Sequence, residues 1–252
     1  MSILSYFHFQ MIFSTKGIVL RSIKYGETSV IATIYTETFG IQSYLMNGVR
    51  TQGKTSKASF FQPSAILDLQ VYHNELKNLQ RIKEIKWGVL YKNILSNVTK
   101  NAVGLYMVEL LYKCVKQPEC NVDLFNFCED AFLQLDTCND EITANFPLYF
   151  SLQLPQFFGF QLHDNYSEVN NLFNPHEGNF TSEANASPDH FDKELSFYIS
   201  QLFKALHPSE LIDIKMNRNQ RRSLLKNIES YYAWHIAEFG SMKTLTVLRE
   251  VI

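Results

Sequence analysis

Basic side chains in the first third of the chain are the residues best suited to bind a ligand. Residues 1–86 carry ten Lys and Arg against five Asp and Glu, a net charge of +5, whereas the whole chain is −2 and the remainder is therefore −7. Cations at this density attract phosphate, so this region is predicted to bind nucleic acid. The nine predicted contact residues are Lys16, Arg21, Lys24, Arg50, Lys54, Lys57, Arg81, Lys83 and Lys86.

The segment from Arg50 to Lys57 is the most telling part of this set. It combines three cations with small and hydroxyl side chains and contains no acid. The sequence therefore predicts a surface loop rich in hydrogen-bond donors, and as a group these cations favour phosphate binding. Taken one at a time, a basic residue on a strand can equally well protect a sheet edge or keep the protein soluble.

Aromatic side chains in the same region could stack on bases, a contact worth about 1–3 kcal/mol per base in proteins that bind single strands. Most of them are expected to fill the hydrophobic core instead, and the sequence alone does not tell which are exposed. The seven aromatic candidates are Tyr25, Tyr35, Phe39, Tyr44, Phe60, Phe61 and Tyr72.

A second basic cluster lies within the acidic remainder of the chain. On a helix that begins near Arg218, residues three and four apart share one face. Such a face could receive an acidic peptide tail or a second DNA strand, and an ordinary solvated helix surface is an equally good interpretation. The five cations of this cluster are Lys215, Arg218, Arg221, Arg222 and Lys226.

Short β-branched and aromatic runs separated by turn residues predict five strands between Lys16 and Lys86. A closed barrel suits so small an all-β region, because an open sheet would leave unpaired edges. Within residues 30–35, the even-numbered side chains are predicted to lie on one side of a strand and the odd-numbered ones on the other.

From Trp87 onward apolar residues recur three and four positions apart, which predicts helices. The stretch 161–190 is polar and rich in Asn and Ser, so it is predicted to be an irregular insertion. The sequence thus predicts an α+β protein with a β-barrel domain at 11–86 and an all-α domain at 87–252. Residues 1–10 show no charge and no period, and we interpret them as an extension or a misassigned start.

Several classes of protein are disfavoured. The chain has no P-loop, GxGxxG, GxSxG or HExxH motif, so neither an enzyme nor a cofactor is expected. Its uncharged opening lacks the features of a signal peptide and is too short to span a bilayer. The four cysteines form no CxxC pair. We therefore expect a cytoplasmic protein with reduced, buried thiols, no metal and no membrane contact.

Ordered motifs occur along most of the chain. In the first domain they are GIVL at 17–20, Tyr-Gly-Glu at 25–27, TETFG at 36–40, Gly-Val-Arg at 48–50, FQP at 61–63 and Leu-Gln-Arg at 79–81. In the second they are LPQFFGF at 154–160 and GSMKTLTVL at 240–248. No single motif is diagnostic, but in this order they resemble the bacterial RecO family of recombination-repair mediators.

The resemblance implies an OB-fold followed by a helical domain, without catalytic turnover. It further implies binding of single- and double-stranded DNA at the nucleoid, and annealing of complementary strands coated with single-strand-binding protein. The implied partners are RecR, the acidic C-terminal tail of single-strand-binding protein and, indirectly, the RecA recombinase.

One departure from the family concerns zinc. Many members carry a four-cysteine zinc site in the insertion, whereas 161–190 contains no cysteine here. Polar side chains could in principle replace the thiolates, although histidines scattered over a polar loop are more often plain surface residues. These side chains are His163, Asp164, His176, Asp189 and His190.

Two alternatives remain open from the residues alone. The barrel could be a protein-interaction adaptor with little affinity for DNA, or it could bind RNA, because OB barrels accept either nucleic acid. The salt dependence of binding separates the adaptor from a nucleic-acid binder, since neutralising phosphates makes affinity fall steeply with salt.

Overall fold

A computed structural model describes residues 11–49 and 57–252, so the predictions for residues 1–10, Arg50 and Lys54 lie outside the described residues. Five strands close into a barrel in the order β1-β2-β3-β5-β4. This is the strand order of an OB-fold, and the predicted fold class is confirmed. The strands are β1 Ile12–Tyr25, β2 Ser29–Thr36, β3 Gly40–Met46, β4 Ile66–Tyr72 and β5 Leu79–Trp87.

Alternation along the strands fills the barrel with apolar side chains. Val30, Ala32 and Ile34 are buried in its core, and the pattern in 30–35 predicted that these three side chains share one side of the strand. On the opposite side of β2, Tyr35 is also buried, because its ring lies 6.0 Å from that of Phe125. The outer surface of the barrel is therefore covered where this helical segment packs on it.

The long strand β1 pairs with two neighbouring strands, and its pairing partner changes near Gly17. Residues 12–18 of β1 pair with β4 and residues 17–25 pair with β2. A Cβ atom at Gly17 would lie 2.5 Å from the Ile34 Cγ2 atom and 3.1 Å from the Leu69 Cδ1 atom. Only glycine fits where the strand passes this closely over the core.

The chain divides into two compact units. One comprises the described residues up to Leu90 together with Val115–Glu129, and the other comprises Tyr91–Cys114 and Asp130–Ile252. The division falls within one helix, and the predicted domain limits stay a prediction. The helices are α1 Val98–Cys114, α2 Val122–Thr137, α3 Asp140–Gln153, α4 Lys193–Lys204, α5 Arg218–His235 and α6 Thr244–Val251.

The insertion at 161–190 is irregular except for a small hairpin of β6 Leu172–Asn174 and β7 Asn179–Thr181 and a 3₁₀ turn at Glu183–Asn185. The Asn165 side-chain amide completes this hairpin by accepting from the Phe180 N–H at 2.7 Å and donating to the Phe180 carbonyl at 2.9 Å. The Phe173 ring packs on Phe180 at 5.4 Å and on Tyr231 at 5.8 Å. Aromatic packing and amide hydrogen bonds thus hold the insertion.

All four cysteines are free thiols. Cys114 and Cys128 are buried and Cys138 is partly buried, and burial raises the pKa of the Cys128 thiol. The prediction of buried thiols is wrong for Cys120, which is exposed in the connection before α2. In the described part of the chain, no helix has both the length and the apolarity that crossing a membrane requires.

Candidate nucleic-acid interface

One row of outward-facing side chains crosses every strand of the barrel. The strand registers place its members opposite one another in sequence around the surface: Ile12, Tyr72, Arg81, Leu45, Ile31 and Ile23. The row has an arginine near its middle and is otherwise aliphatic or aromatic. Ile12 and Ile23 are each 47% exposed, so apolar surface is offered to a ligand.

The next row toward the β2–β3 turn contains Arg21, Thr33, Ser43 and Leu79. Strands β1, β2 and β3 contain no Asp or Glu, and neither row includes a carboxylate. We call the surface formed by both rows, together with Tyr25, the carboxylate-free face. Its core is the outer surface of strands 2 and 3, where OB-folds bind oligonucleotides.

Further cations lie at one end of this face. The Val49 N–H donates to the Thr28 carbonyl at 2.8 Å, and the Ser22 hydroxyl donates to the Phe61 carbonyl at 2.8 Å. These bonds bring the exit of β3 and the short 3₁₀ turn Lys57–Phe61 beside the β1–β2 turn. Lys57 and Lys24 are both exposed there.

The opposite side of the barrel has a different character. This side is formed by the first half of β1, by β4 and by the second half of β5. Lys16 on β1 lies opposite Asp68 on β4, and Asp68 lies opposite Lys86 on β5. A groove of about 360 Å³ follows these strands. We call it the mixed groove, and its polar lining is Ser14, Thr15, Lys16, Glu37, Asp68, Gln70, Glu84 and Lys86.

Lys16 is engaged within this groove. Its Nζ atom donates to Glu129 Oε1 at 2.7 Å. This hydrogen bond raises the pKa of the Lys16 ammonium, and partial burial opposes the rise. The charge of Lys16 is therefore already matched by a carboxylate.

Lys83 and Lys86 lie on the same half of β5. Gln70 pairs with Glu84 and Val71 with Ile82, so Lys83 is the extra residue of a β-bulge and points into solvent. Within the described residues, no carboxylate forms an ion pair with the cations of a set comprising Lys24, Lys57, Arg81, Lys83 and Lys86. Of this set, Arg81 belongs to the carboxylate-free face and Lys86 to the mixed groove.

The structure also separates the aromatic candidates. Tyr35, Tyr44 and Phe61 are buried. Phe39 stacks on His73 at 3.9 Å and Phe60 packs on Trp87 at 4.5 Å. The two candidates that remain on the outer surface are Tyr25, which is 54% exposed, and Tyr72.

Four of the five cations of the second basic cluster lie on α5, which begins at Arg218 as predicted, and Lys215 precedes it. The five side chains have different partners. Arg218 donates from Nε to the Ile252 main-chain oxygen at 2.8 Å, and Arg222 donates from Nε to the Arg249 carbonyl at 2.8 Å. These two guanidinium groups thereby satisfy main-chain oxygens at the end of α6. Lys215 forms an ion pair with Glu141 at 3.0 Å, and Lys226 is exposed.

Arg221 faces a cavity of about 630 Å³ in the helical unit. Its Nη1 atom donates to the Met216 carbonyl at 2.6 Å, whereas its buried Nε atom has no partner. Burial lowers the pKa of the Arg221 guanidinium, and Arg218 adds to this. Asn145 lines the same cavity with a buried, unpartnered Oδ1 atom. The apolar part of the lining includes Leu211, Ile212, Ile214 and Met216.

The five polar residues considered for a metal do not form a site. Among the residues that the structure describes, no three His, Cys, Asp or Glu side chains lie together as metal ligands would. His176 pairs with Asp189 at 3.5 Å, while Asp164 contacts Lys204 and the Ser200 hydroxyl, each at 3.3 Å. A tetrahedral zinc site needs four converging donors, so these residues do not fit one.

The cationic contacts stay a prediction, and the sequence analysis did not predict the aliphatic row or the Arg221 cavity. The alternation of β1, β2 and β3 could have placed Ile23, Ile31 and Leu45 outward. The cavity left no comparable signal, because Asn145 and Arg221 meet only through the packing of α3 against α5.

Comparison with known proteins matches residues 11–89 to the family described as "Recombination protein O N terminal" and residues 95–244 to "Recombination protein O C terminal". DNA repair protein RecO of Flavobacterium psychrophilum is 32% identical over 250 residues, which cover 94% of this chain and 98% of the relative. DNA repair protein RecO of Bacteroides fragilis is 31% identical over 249 residues, covering 96% and 99%.

Proposed function

Because this chain belongs to the recombination protein O (RecO) family and therefore has a role in DNA repair and recombination, we propose that it is a mediator without catalytic turnover. It binds single- and double-stranded DNA and anneals complementary strands coated with single-strand-binding protein. With RecR it assists the loading of RecA, and it does so in the cytoplasm at the nucleoid.

The carboxylate-free face is the observation that carries this proposal. Arg21 and Arg81 lie there in rows of side chains that contain no carboxylate, and Lys24 and Lys57 extend the cationic surface at one end. Two DNA strands repel each other through their phosphates, and a cationic surface offsets that repulsion and raises their rate of encounter. Annealing by this route needs neither a catalytic residue nor a nucleotide cofactor.

The Arg221 cavity supports the acidic tail of single-strand-binding protein as a second partner. Arg221 lines this cavity, and a guanidinium can bind a carboxylate through charge-assisted hydrogen bonds. The apolar lining suits the hydrophobic side chains of a short peptide. Because Arg218 and Arg222 already hydrogen-bond the end of α6, a peptide at Arg221 is better supported than a second DNA strand along this helix.

Fluorescence-monitored annealing of two complementary oligonucleotides, each coated with the cognate single-strand-binding protein, tests the proposal. We expect the protein to accelerate annealing without ATP, and the acceleration to fade as salt is added. If annealing is not accelerated and binding to single strands is also absent, the protein is an adaptor instead.

Arg221→Gln tests the tail-binding part separately. We expect this variant to lose most of its acceleration on coated strands while annealing naked strands normally. Lys226→Gln is the matched control, since Lys226 is an exposed cation of the same helix. Equal effects of the two variants would contradict the assignment of the tail to the cavity.

A further inference from the structure

We infer that α6 positions Arg221 for its ligand: by accepting hydrogen bonds from Arg218 and Arg222, the end of α6 holds the first turn of α5 in the form that presents Arg221 to the cavity. This positioning role rests on the proposed binding of an acidic tail at the cavity and concerns how that site is controlled. All residues of α6 are described and none lines the cavity, so the helix can influence the site only indirectly.

The first turn of α5 is an unfavourable place for its arginines. Arg218, Arg221 and Arg222 lie within the first five residues of the helix, and its first turn has no Asp or Glu. The start of a helix carries the positive end of the helix dipole, and like charges three and four residues apart repel each other. Asn217 and Gln220 form a capping box there, but both side chains are neutral. The turn therefore gains stability from any negative charge brought beside it.

The end of α6 brings that charge. Arg218 donates from Nε to the Ile252 main-chain oxygen at 2.8 Å and from Nη2 to the Glu250 carbonyl. Arg222 donates from Nε to the Arg249 carbonyl at 2.8 Å, and its Nη2 atom donates to the same oxygen. The last carbonyls of a helix carry the negative end of its dipole. The cationic start of α5 is thus held against the negative end of α6.

The placement of Arg221 depends on the turn that these bonds hold. Arg221 lies between Arg218 and Arg222 in the chain, and its N–H donates to the Asn217 carbonyl at 3.2 Å. Its Nη1 atom donates to the Met216 carbonyl at 2.6 Å, and both residues line the cavity. If the first turn unwound, these two hydrogen bonds would be lost and Arg221 would no longer be fixed at the cavity.

A carboxylate of α1 holds the other end of α6. The Lys243 and Thr244 N–H groups donate to the Glu109 carboxylate at 2.9 and 2.7 Å, and the Thr244 hydroxyl donates to it at 2.6 Å. Lys243 stands at the N-cap of α6 without a side-chain capping bond, so Glu109 supplies the cap from another helix. Leu245 and Leu248 are buried between the two ends. Direct contacts therefore join Glu109 through α6 to the first turn of α5.

The charge of Glu109 separates positioning from a simple electrostatic effect. By charge alone, removing a carboxylate should raise the affinity of the protein for an acidic peptide. Removing the cap of α6 should instead lower that affinity, because the end of α6 then holds Arg218 and Arg222 less firmly. Since the two equilibria are linked, a carboxylate bound at Arg221 must in turn stabilise the docked α6.

Fluorescence anisotropy of a labelled peptide with the acidic C-terminal sequence of the cognate single-strand-binding protein tests this on the full chain. We expect Glu109→Ala to bind the peptide about fivefold more weakly than wild type. Glu177→Ala is the matched control, because it removes an exposed carboxylate of the same unit, and it should change the affinity by less than about twofold. Arg222→Lys should bind about threefold more weakly although it keeps the charge, because lysine lacks the planar group that donates from two nitrogens.

Hydrogen exchange of the wild-type protein is a second test that needs no variant. We expect the peptide to slow amide exchange in α6 and in the first turn of α5 and to leave the β6–β7 hairpin unchanged. Unchanged exchange in α6 would overturn the inference, as would a Glu109→Ala affinity equal to or above that of Glu177→Ala. Faster exchange in α6 would also overturn it, since the peptide would then compete with α6 for the arginines. In each of these cases tail binding at the cavity stands. If the wild-type protein does not bind the peptide, or Arg221→Gln binds it normally, the proposed tail site itself fails.

Discussion

The two sides of the barrel both carry basic side chains, but these side chains have different neighbours. In the mixed groove, Lys16 donates to Glu129 and Lys86 lies opposite Asp68. On the carboxylate-free face, Arg21 and Arg81 lie among aliphatic and hydroxyl side chains. A ligand phosphate must compete with carboxylates in the groove and meets none on strands β1, β2 and β3 of the face.

The comparison teaches that an excess of basic residues does not locate an interface. If the barrel binds DNA as we propose, the net charge of +5 over residues 1–86 attracts nucleic acid to the barrel as a whole. The arrangement of carboxylates would then decide which side receives the DNA, because a paired cation contributes little to a new contact.

Removing both arginines of the face should have the largest effect. We expect Arg21→Gln/Arg81→Gln to weaken single-strand binding at least tenfold and to lower the salt slope by about 1.4, since each contacted phosphate accounts for about 0.7. Titrations at several salt concentrations measure both quantities. The matched control, Lys16→Gln/Lys86→Gln, removes the same charge from the mixed groove and should weaken binding less than threefold. A control as damaging as the face variant would show that the two sides are equivalent.

Removing carboxylates from the groove should have an intermediate effect of opposite sign. In Asp68→Asn/Glu84→Gln, Lys86 loses its neighbouring acids and Lys16 loses one, so the groove becomes attractive to phosphate. We expect general DNA affinity to rise about two- to threefold at low salt and the gain to vanish at high salt. The same anisotropy titrations detect it, and unchanged affinity at low salt would mean that the groove is inaccessible to DNA.

Breaking the Lys16–Glu129 pair should have the smallest effect. We expect Lys16→Gln to lower the free energy of unfolding by at most about 1 kcal/mol, because the Lys16 side chain is 44% exposed and solvent screens the pair. Urea unfolding at neutral pH measures this, with single-strand binding unchanged within twofold.

The pH dependence of this contribution follows from the raised pKa of Lys16. A group whose pKa is higher in the folded state stabilises the fold fully below its ordinary value, which for lysine is about 10.4, and this stabilisation is lost as the pH rises through the raised value. The difference in stability between wild type and Lys16→Gln should therefore be constant from pH 7 to pH 9 and shrink above pH 10.5. A difference that shrinks below pH 9 would contradict the role of the ion pair.

Much of the fold could be predicted because local patterns determine it. Alternation predicted that Val30, Ala32 and Ile34 share one side of a strand, and the structure shows that this side faces the core. Three- and four-residue spacing predicted helices after Trp87. The motifs that resemble RecO also predicted the family to which the chain belongs.

The candidate site was less predictable because its character depends on residues far apart in the chain. Lys16 and Glu129 are separated by 113 positions, and no local pattern joins them. Arg218 and Arg222 were predicted to share a helix face, but the sequence could not show that residues 249–252 occupy it. DNA contact stays a prediction for all nine cations of the first domain, and Arg50 and Lys54 also lie outside the described residues.

Mutations at Gly17 should impair DNA repair even though glycine has no side chain that could contact DNA. At this residue β1 leaves β4 and joins β2, so both sides of the barrel depend on a residue that has no side chain to offer DNA. A random mutagenesis screen for repair-deficient cells should recover substitutions at Gly17 beside those at Arg21 and Arg81. Protein abundance would distinguish them, since Gly17 variants would be degraded while arginine variants accumulate as folded, inactive protein.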